Sequence, residues 1–155
     1  MSPPTEAGTA LVMVYVVMVA VIDIRTHSIP NALSATAAAL GLIAQVSLNG
    51  TPGLLSALAG AAIGLAMFLP FYVLRAVAAG DVKAMATVGV FLGAPATLFA
   101  CAFTLIAGAM FGVSILLLQA SAAATTRTRR FAYGGAIALG TLLTLVAPGA
   151  LQLSF

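Results

Sequence analysis

Residues 9–31 read "TALVMVYVVMVAVIDIRTHSIPN", an apolar run that stops abruptly at an aspartate and a short polar stretch. The run does not alternate apolar and polar residues as a strand of a transmembrane barrel would. Comparable runs recur along the 155-residue chain, which is 63% hydrophobic and 6% charged, with a mean hydropathy of +1.20. Such a composition cannot furnish the polar surface of a soluble domain. A bilayer crossing takes roughly 20 apolar residues in a helix rising about 1.5 Å per residue. The sequence therefore predicts an all-α, polytopic transmembrane helical bundle, one integral membrane domain over residues 1–155.

Turn and breaker residues divide the chain into about six spans. The first covers about 9–22 and the second about 30–48, with Pro30 suited to a first helical turn and Ser28 placed to cap it. The cluster "NGTPG" at 49–53 predicts a turn. A third span covers about 54–74, bent near Pro70. A fourth runs from about Asp81 to "GAP" at 93–95, a fifth over about 96–119, and a sixth over about 132–151. Every Lys and Arg, namely Arg25, Arg75, Lys83, Arg127, Arg129 and Arg130, falls in the loops after spans one, three and five. The positive-inside tendency makes that side the cytoplasm and leaves both termini outside. The fourth span is short, about 18 Å against ~30 Å of hydrocarbon. The non-helical "AVAAG" at 76–80 then lies below the membrane surface, where it needs protein or a watery cavity around it. No basic region precedes the first span, so the N-terminus reads as retained rather than as a cleaved signal peptide.

Chemistry has few places to reside. The acids are Glu6, Asp23 and Asp81. Solvation explains Glu6, beside Pro3 and Pro4. Asp23 and Asp81 each border an apolar span on the same side of the membrane, where a carboxylate is either a solvated helix end or functional. Two carboxylates at one depth can share a proton and handle a water molecule, as an aspartic hydrolase requires. Asp81 opens its helix, where the dipole favours a carboxylate, whereas Asp23 closes one. This asymmetry leads to the expectation that Asp23 holds the shared proton and Asp81 activates water. Arg25 and Lys83 lie two residues from the acids, a spacing that does not face them on a helix. The residues alone leave the catalytic and structural readings open.

The single Cys101 lies in an apolar run and His27 is the only histidine, so neither a disulfide framework nor a zinc site is expected. No cofactor is expected. Arg127, Arg129 and Arg130 suit orientation and anionic membrane lipid rather than nucleic acid. Three GxxxG pairs, Gly60/Gly64, Gly89/Gly93 and Gly108/Gly112, predict close helix contacts within the monomer.

"DIRTHSIPN" at 23–31 followed by "AAGDVKA" at 78–84 resembles the type IV prepilin peptidases, a family of membrane aspartic proteases. The matching residues are Asp23, Ile29-Pro30-Asn31 and Gly80-Asp81-Val82-Lys83, and "YGGAIALG" at 133–140 is similar to the segment that opens the family's last span. The resemblance implies a catalytic pair, Asp23 and Asp81, that cuts the short cytoplasmic leader from prepilin-like precursors after a small residue. It implies supporting roles for Pro30 and Asn31, for Gly80 in close backbone approach, and for Lys83 in orienting Asp81 or engaging substrate. It places the protein in the inner membrane, in pilus assembly or protein secretion. Ala78 stands where the family usually has its first glycine, and Gly135 where proline is frequent. Alanine does not readily adopt positive φ. The first cytoplasmic loop is short and has no cysteine, so the methyltransferase activity of larger family members, which carry paired CxxC motifs, is not expected. Two other classes fit the residues: a small proton or cation transporter using the Asp pair, and a non-catalytic membrane subunit of a pilus or secretion assembly.

Overall fold

The computed structural model describes residues 6–121 and 133–146, and all regular structure among them is helical. Five helices follow in order: α1 Glu6–Thr26, α2 Asn31–Val73, α3 Ala79–Leu92, α4 Ala94–Ser121 and α5 Gly134–Val146. Of these, α1, α2 and α4 are long and apolar enough to cross a bilayer. Their outward residues, among them Val14, Val17, Ile43, Leu55, Leu58, Ile106 and Met110, are exposed hydrophobics. Apolar side chains on the outside are what a hydrocarbon solvent requires.

α2 has 43 residues and would reach about 65 Å if straight at ~1.5 Å per residue. It folds back instead. Along its first limb, Asn31, Ser34 and Gln45 pair in turn with Lys83, Thr87 and Phe91 of α3. Along the second limb the order inverts, with Gly60 against Gly89 and Gly64 against Met85. The reversal occurs at Gly50, whose φ of 60° and ψ of −141° are the non-helical values within α2. Only glycine adopts that combination readily. The expected turn "NGTPG" is thus compressed to one residue, and Pro52 fits the second limb's first turn because the missing N–H would be unpaired there anyway. Helical backbone also continues through Pro70.

α3 is the centre of the bundle and touches each of the other four helices. It is 14 residues long, and from Ala84 onward only Ala86 is not fully buried. Glycines make this possible. A Cβ on Gly60 would overlap the Gly89 carbonyl, and one on Gly89 would overlap the Gly60 carbonyl, so the two backbones touch. Met85, Val88, Phe68, Val12, Val16, Val19 and Ile137 close the core around them. A buried hydroxyl set, Tyr15 to Ser34 at 3.1 Å and Thr87 to the Ser34 carbonyl at 3.3 Å, ties α1, α2 and α3 together. Gly93, with φ of 75°, is the sole residue between α3 and α4.

Several boundaries differ from the sequence reading. α1 continues past Ile22 to Thr26, which places Asp23 inside its last turn. The N-cap of α2 is Pro30 with no side-chain cap, its carbonyl accepting from Leu33 and Ser34. Ser28 does not cap it, because the cap position falls two residues later, on Pro30. α3 starts at Ala79, so "AVAAG" is only partly non-helical, and α4 starts at Ala94. Arg127, Arg129, Arg130 and the ends of the expected sixth span lie outside the described residues.

The glycine contact between α2 and α3 is rigid on both sides, because the colliding atoms are backbone. Gly89→Ala should cost about 1–3 kcal/mol through overpacking and lower the thermal unfolding midpoint in detergent. Gly112→Ala, where an added Cβ meets nothing within 4 Å, should leave it in place. Equal midpoints for wild type and Gly89→Ala would contradict the packing described.

Candidate active site

One end of the bundle gathers the C-termini of α1 and α2 and the N-termini of α3 and α5 around a cavity of about 440 Å³. Its walls are Asp23 and His27 from α1 and the turn after it, Tyr72 and residues 75–79 from the end of α2 to the start of α3, Asp81, and Tyr133. The connection is non-helical from Leu74 to Ala78. It lines the cavity, the setting that such backbone needs in a membrane protein.

Asp23 and Asp81 face this cavity together, 5% and 4% exposed, and Asp81 lies within the electrostatic reach of Asp23. Each carboxylate is held by a backbone N–H at the start of a helix. Asp81 occupies the third position of α3 and reaches back to accept from Ala78 at 2.8 Å. Asp23 accepts from Gly134, the first residue of α5, at 2.7 Å. The second bond removes the asymmetry expected of the two helix ends. Asp23 closes its own helix, but its carboxylate meets the positive end of another. The dipoles therefore do not distinguish the two acids, and any shared proton belongs to the pair.

Ala78 is extended at φ −84° and ψ 159°. The position demands no glycine conformation, so alanine fits without strain. Gly80 also has no positive φ. A Cβ there would stand 3.2 Å from the Ile29 Cβ, a tight fit, so its use is close approach to the segment before α2. Lys83 donates to the Asn31 side chain at 2.9 Å and is exposed. It clamps the starts of α2 and α3 to each other rather than orienting Asp81. Pro30, Asn31, Gly80 and Lys83 thus form a joint behind the cavity, whereas Asp23 and Asp81 are in its wall.

Two non-glycine residues adopt positive φ among those described, His27 at 52° and Arg75 at 60°, and both line the cavity. Arg75 is the left-handed residue of a Schellman turn, with its N–H on the Tyr72 carbonyl and the Ala76 N–H on the Phe71 carbonyl. His27 ends α1 with the simpler left-handed cap, its N–H donating to the Asp23 carbonyl. An L side chain in this region costs roughly 1–2 kcal/mol. The two helix ends are shaped so that cationic or ionisable side chains flank the carboxylates.

Sequence reasoning did not single out Tyr133 and Gly134 as site residues. A Cβ on Gly134 would lie 2.8 Å from the Asp23 Cβ, so glycine is what lets α5 reach the carboxylate. The available signal was a Tyr-Gly pair at the start of an apolar run on the acids' side of the membrane. Among the described residues no group of three or more His, Cys, Asp or Glu could hold a metal ion.

No curated protein and no solved structure matches this sequence. A family match covers residues 10–113, which takes in Asp23, the Ile29-Pro30-Asn31 stretch and the Gly80-to-Lys83 motif, and leaves Tyr133 and α5 beyond it. That match spans well over half of a chain whose buried acids meet in one cavity, and the protein belongs to the type IV leader peptidase family.

Proposed function

We propose that this protein is a membrane aspartic endopeptidase that removes the short cytoplasmic leader of prepilin-like precursors. The observation that carries the reading is the placement of two buried carboxylates, from α1 and α3, in the wall of one cavity at one end of an apolar bundle. One carboxylate takes a proton from water as the water oxygen attacks the scissile carbonyl carbon, and the other, protonated, donates to the carbonyl oxygen. The C–N bond of the resulting diol then breaks. The leaving amine takes the proton held by the first carboxylate, and the diol hydroxyl returns one to the second. The N–H groups of Ala78 and Gly134 keep the carboxylates aimed throughout. No covalent intermediate and no metal enters these steps.

The bilayer reading that accompanies this is six crossings with the termini outside. Support comes from the reversal of α2 at Gly50, which makes two antiparallel limbs, and from the gathering of 23–31, 71–83 and 133–134 at one end. That end holds Arg25, Arg75 and Lys83, so it is the cytoplasmic end under the positive-inside tendency. α3, at 14 residues, is shorter than the hydrocarbon is thick, which supports a cavity lying below the headgroups.

Asp23→Asn and Asp81→Asn should each abolish leader removal, scored by the mass of a co-expressed prepilin, while both variants still accumulate in the membrane. Cleavage at the normal rate by either would refute the mechanism. Single cysteines in a Cys101→Ala background test the orientation. One near Thr51 should react with an impermeant reagent in intact cells and one near Arg129 should not, and the opposite pattern would overturn the topology. The turn between α1 and α2, residues 27–30, has no room for a zinc-binding cytoplasmic domain. Purified protein given S-adenosylmethionine should therefore leave the new N-terminus of a cleaved pilin unmethylated, and methyl transfer would disprove this.

A further inference from the structure

Tyr133 is buried, lines the cavity and takes no part in the chemistry above. It stands immediately before α5, its carbonyl accepting the helix's first bond from Ile137 at 3.1 Å. The ring stands edge-on to Phe68 with centroids 6.1 Å apart, and the hydroxyl reaches α4, 3.5 Å from the Thr104 carbonyl. The receiving surface on α4 is Gly108. That residue has no positive φ, yet a Cβ there would overlap the Tyr133 hydroxyl and ring. Its glycine identity is therefore spent on a notch for one side chain.

The residue that follows Tyr133 is Gly134, whose N–H holds Asp23 at 2.7 Å. Gly108, Tyr133, Gly134 and Asp23 thus form a continuous line of contacts from α4 to the cavity. We propose that Tyr133, seated in the Gly108 notch, is a positioning residue that fixes where α5 begins and so keeps the Gly134 amide on the Asp23 carboxylate. The contact geometry stands by itself, and its consequence for catalysis rests on the aspartic-peptidase reading. A hydrogen bond loses strength steeply with misalignment, so a displaced anchor one residue away changes how Asp23 is held without removing any reacting group.

The chain contains only two aspartates, so protein labelled with 13C at the aspartate carboxyl gives one signal from Asp23 and one from Asp81, assigned with the Asn variants. In lipid nanodiscs at fixed pH, Gly108→Ala should move the Asp23 signal, and Gly112→Ala should move neither. With a prepilin peptide as substrate, Gly108→Ala should lower kcat roughly ten- to a hundredfold, the scale of a misplaced catalytic geometry, with KM unchanged. Tyr133→Ala should produce the same loss, and adding Gly108→Ala to it should cause no more, because the collision is gone. Tyr133→Leu, which vacates the notch without adding bulk to α4, carries the test if Gly108→Ala does not fold. An Asp23 signal unmoved in Gly108→Ala and in the Tyr133 variants, or losses that simply multiply in the double variant, would overturn the proposal. If the wild type cleaves no prepilin peptide while the Asp23 signal responds as described, the positioning stands and the peptidase reading falls.

Discussion

The contact on which the rest of the molecule depends is backbone against backbone, where Gly60 and Gly64 of α2 meet Gly89 and Met85 of α3. In hydrocarbon there is no hydrophobic gain from bringing helices together, so association rests on dispersion between closely approached surfaces and on a few polar pairs. Removing the Cβ atoms at this crossing allows α3 to sit in the middle of the bundle with hardly any side chain facing out. A helix so enclosed can begin with an aspartate that lipid never touches. The burial of Asp81 thus follows from a glycine two turns further along the same helix and from the two glycines of α2 at that crossing.

Charge scarcity made much of this legible. In a chain with so few ionisable groups, Asp23 and Asp81 stood out because an acid beside an apolar run has few reasons to be there. The helical class followed from apolar length, and the reversal between the limbs of α2 from a turn cluster, although only Gly50 departs from helical dihedrals. The clamp between Lys83 and Asn31 was not legible: Lys83 was expected to orient Asp81 or engage substrate, and Asn31 had only a general supporting role. Nothing in a sequence says which of several nearby groups a flexible amine will choose.

The least legible part of the site is its backbone. Asp23 is held by the N–H of Gly134, 111 positions away, and a backbone amide is marked in the sequence only indirectly, here by the glycine that lets it approach. The helix to which Asp23 belongs would disfavour its charge at that end, but the carboxylate faces the start of a different helix, a neighbour that chain order does not reveal. Ala78 shows the converse: a position where glycine was expected proves to be extended, with no need of glycine's freedom.

The single-residue connection at Gly93 has an evolutionary consequence. α3 is fixed in register at one end by that link and at the other by Asp81 reaching back to Ala78, with no slack between them to absorb a change. Deleting or inserting one residue between Asp81 and Gly93 would swing the carboxylate about 100° around the helix axis and shift it ~1.5 Å along it. Related sequences can exchange one apolar residue for another in this interval, Gly89 excepted, more readily than they can change its length. The number of positions separating aspartate from glycine should be as invariant as the aspartate itself.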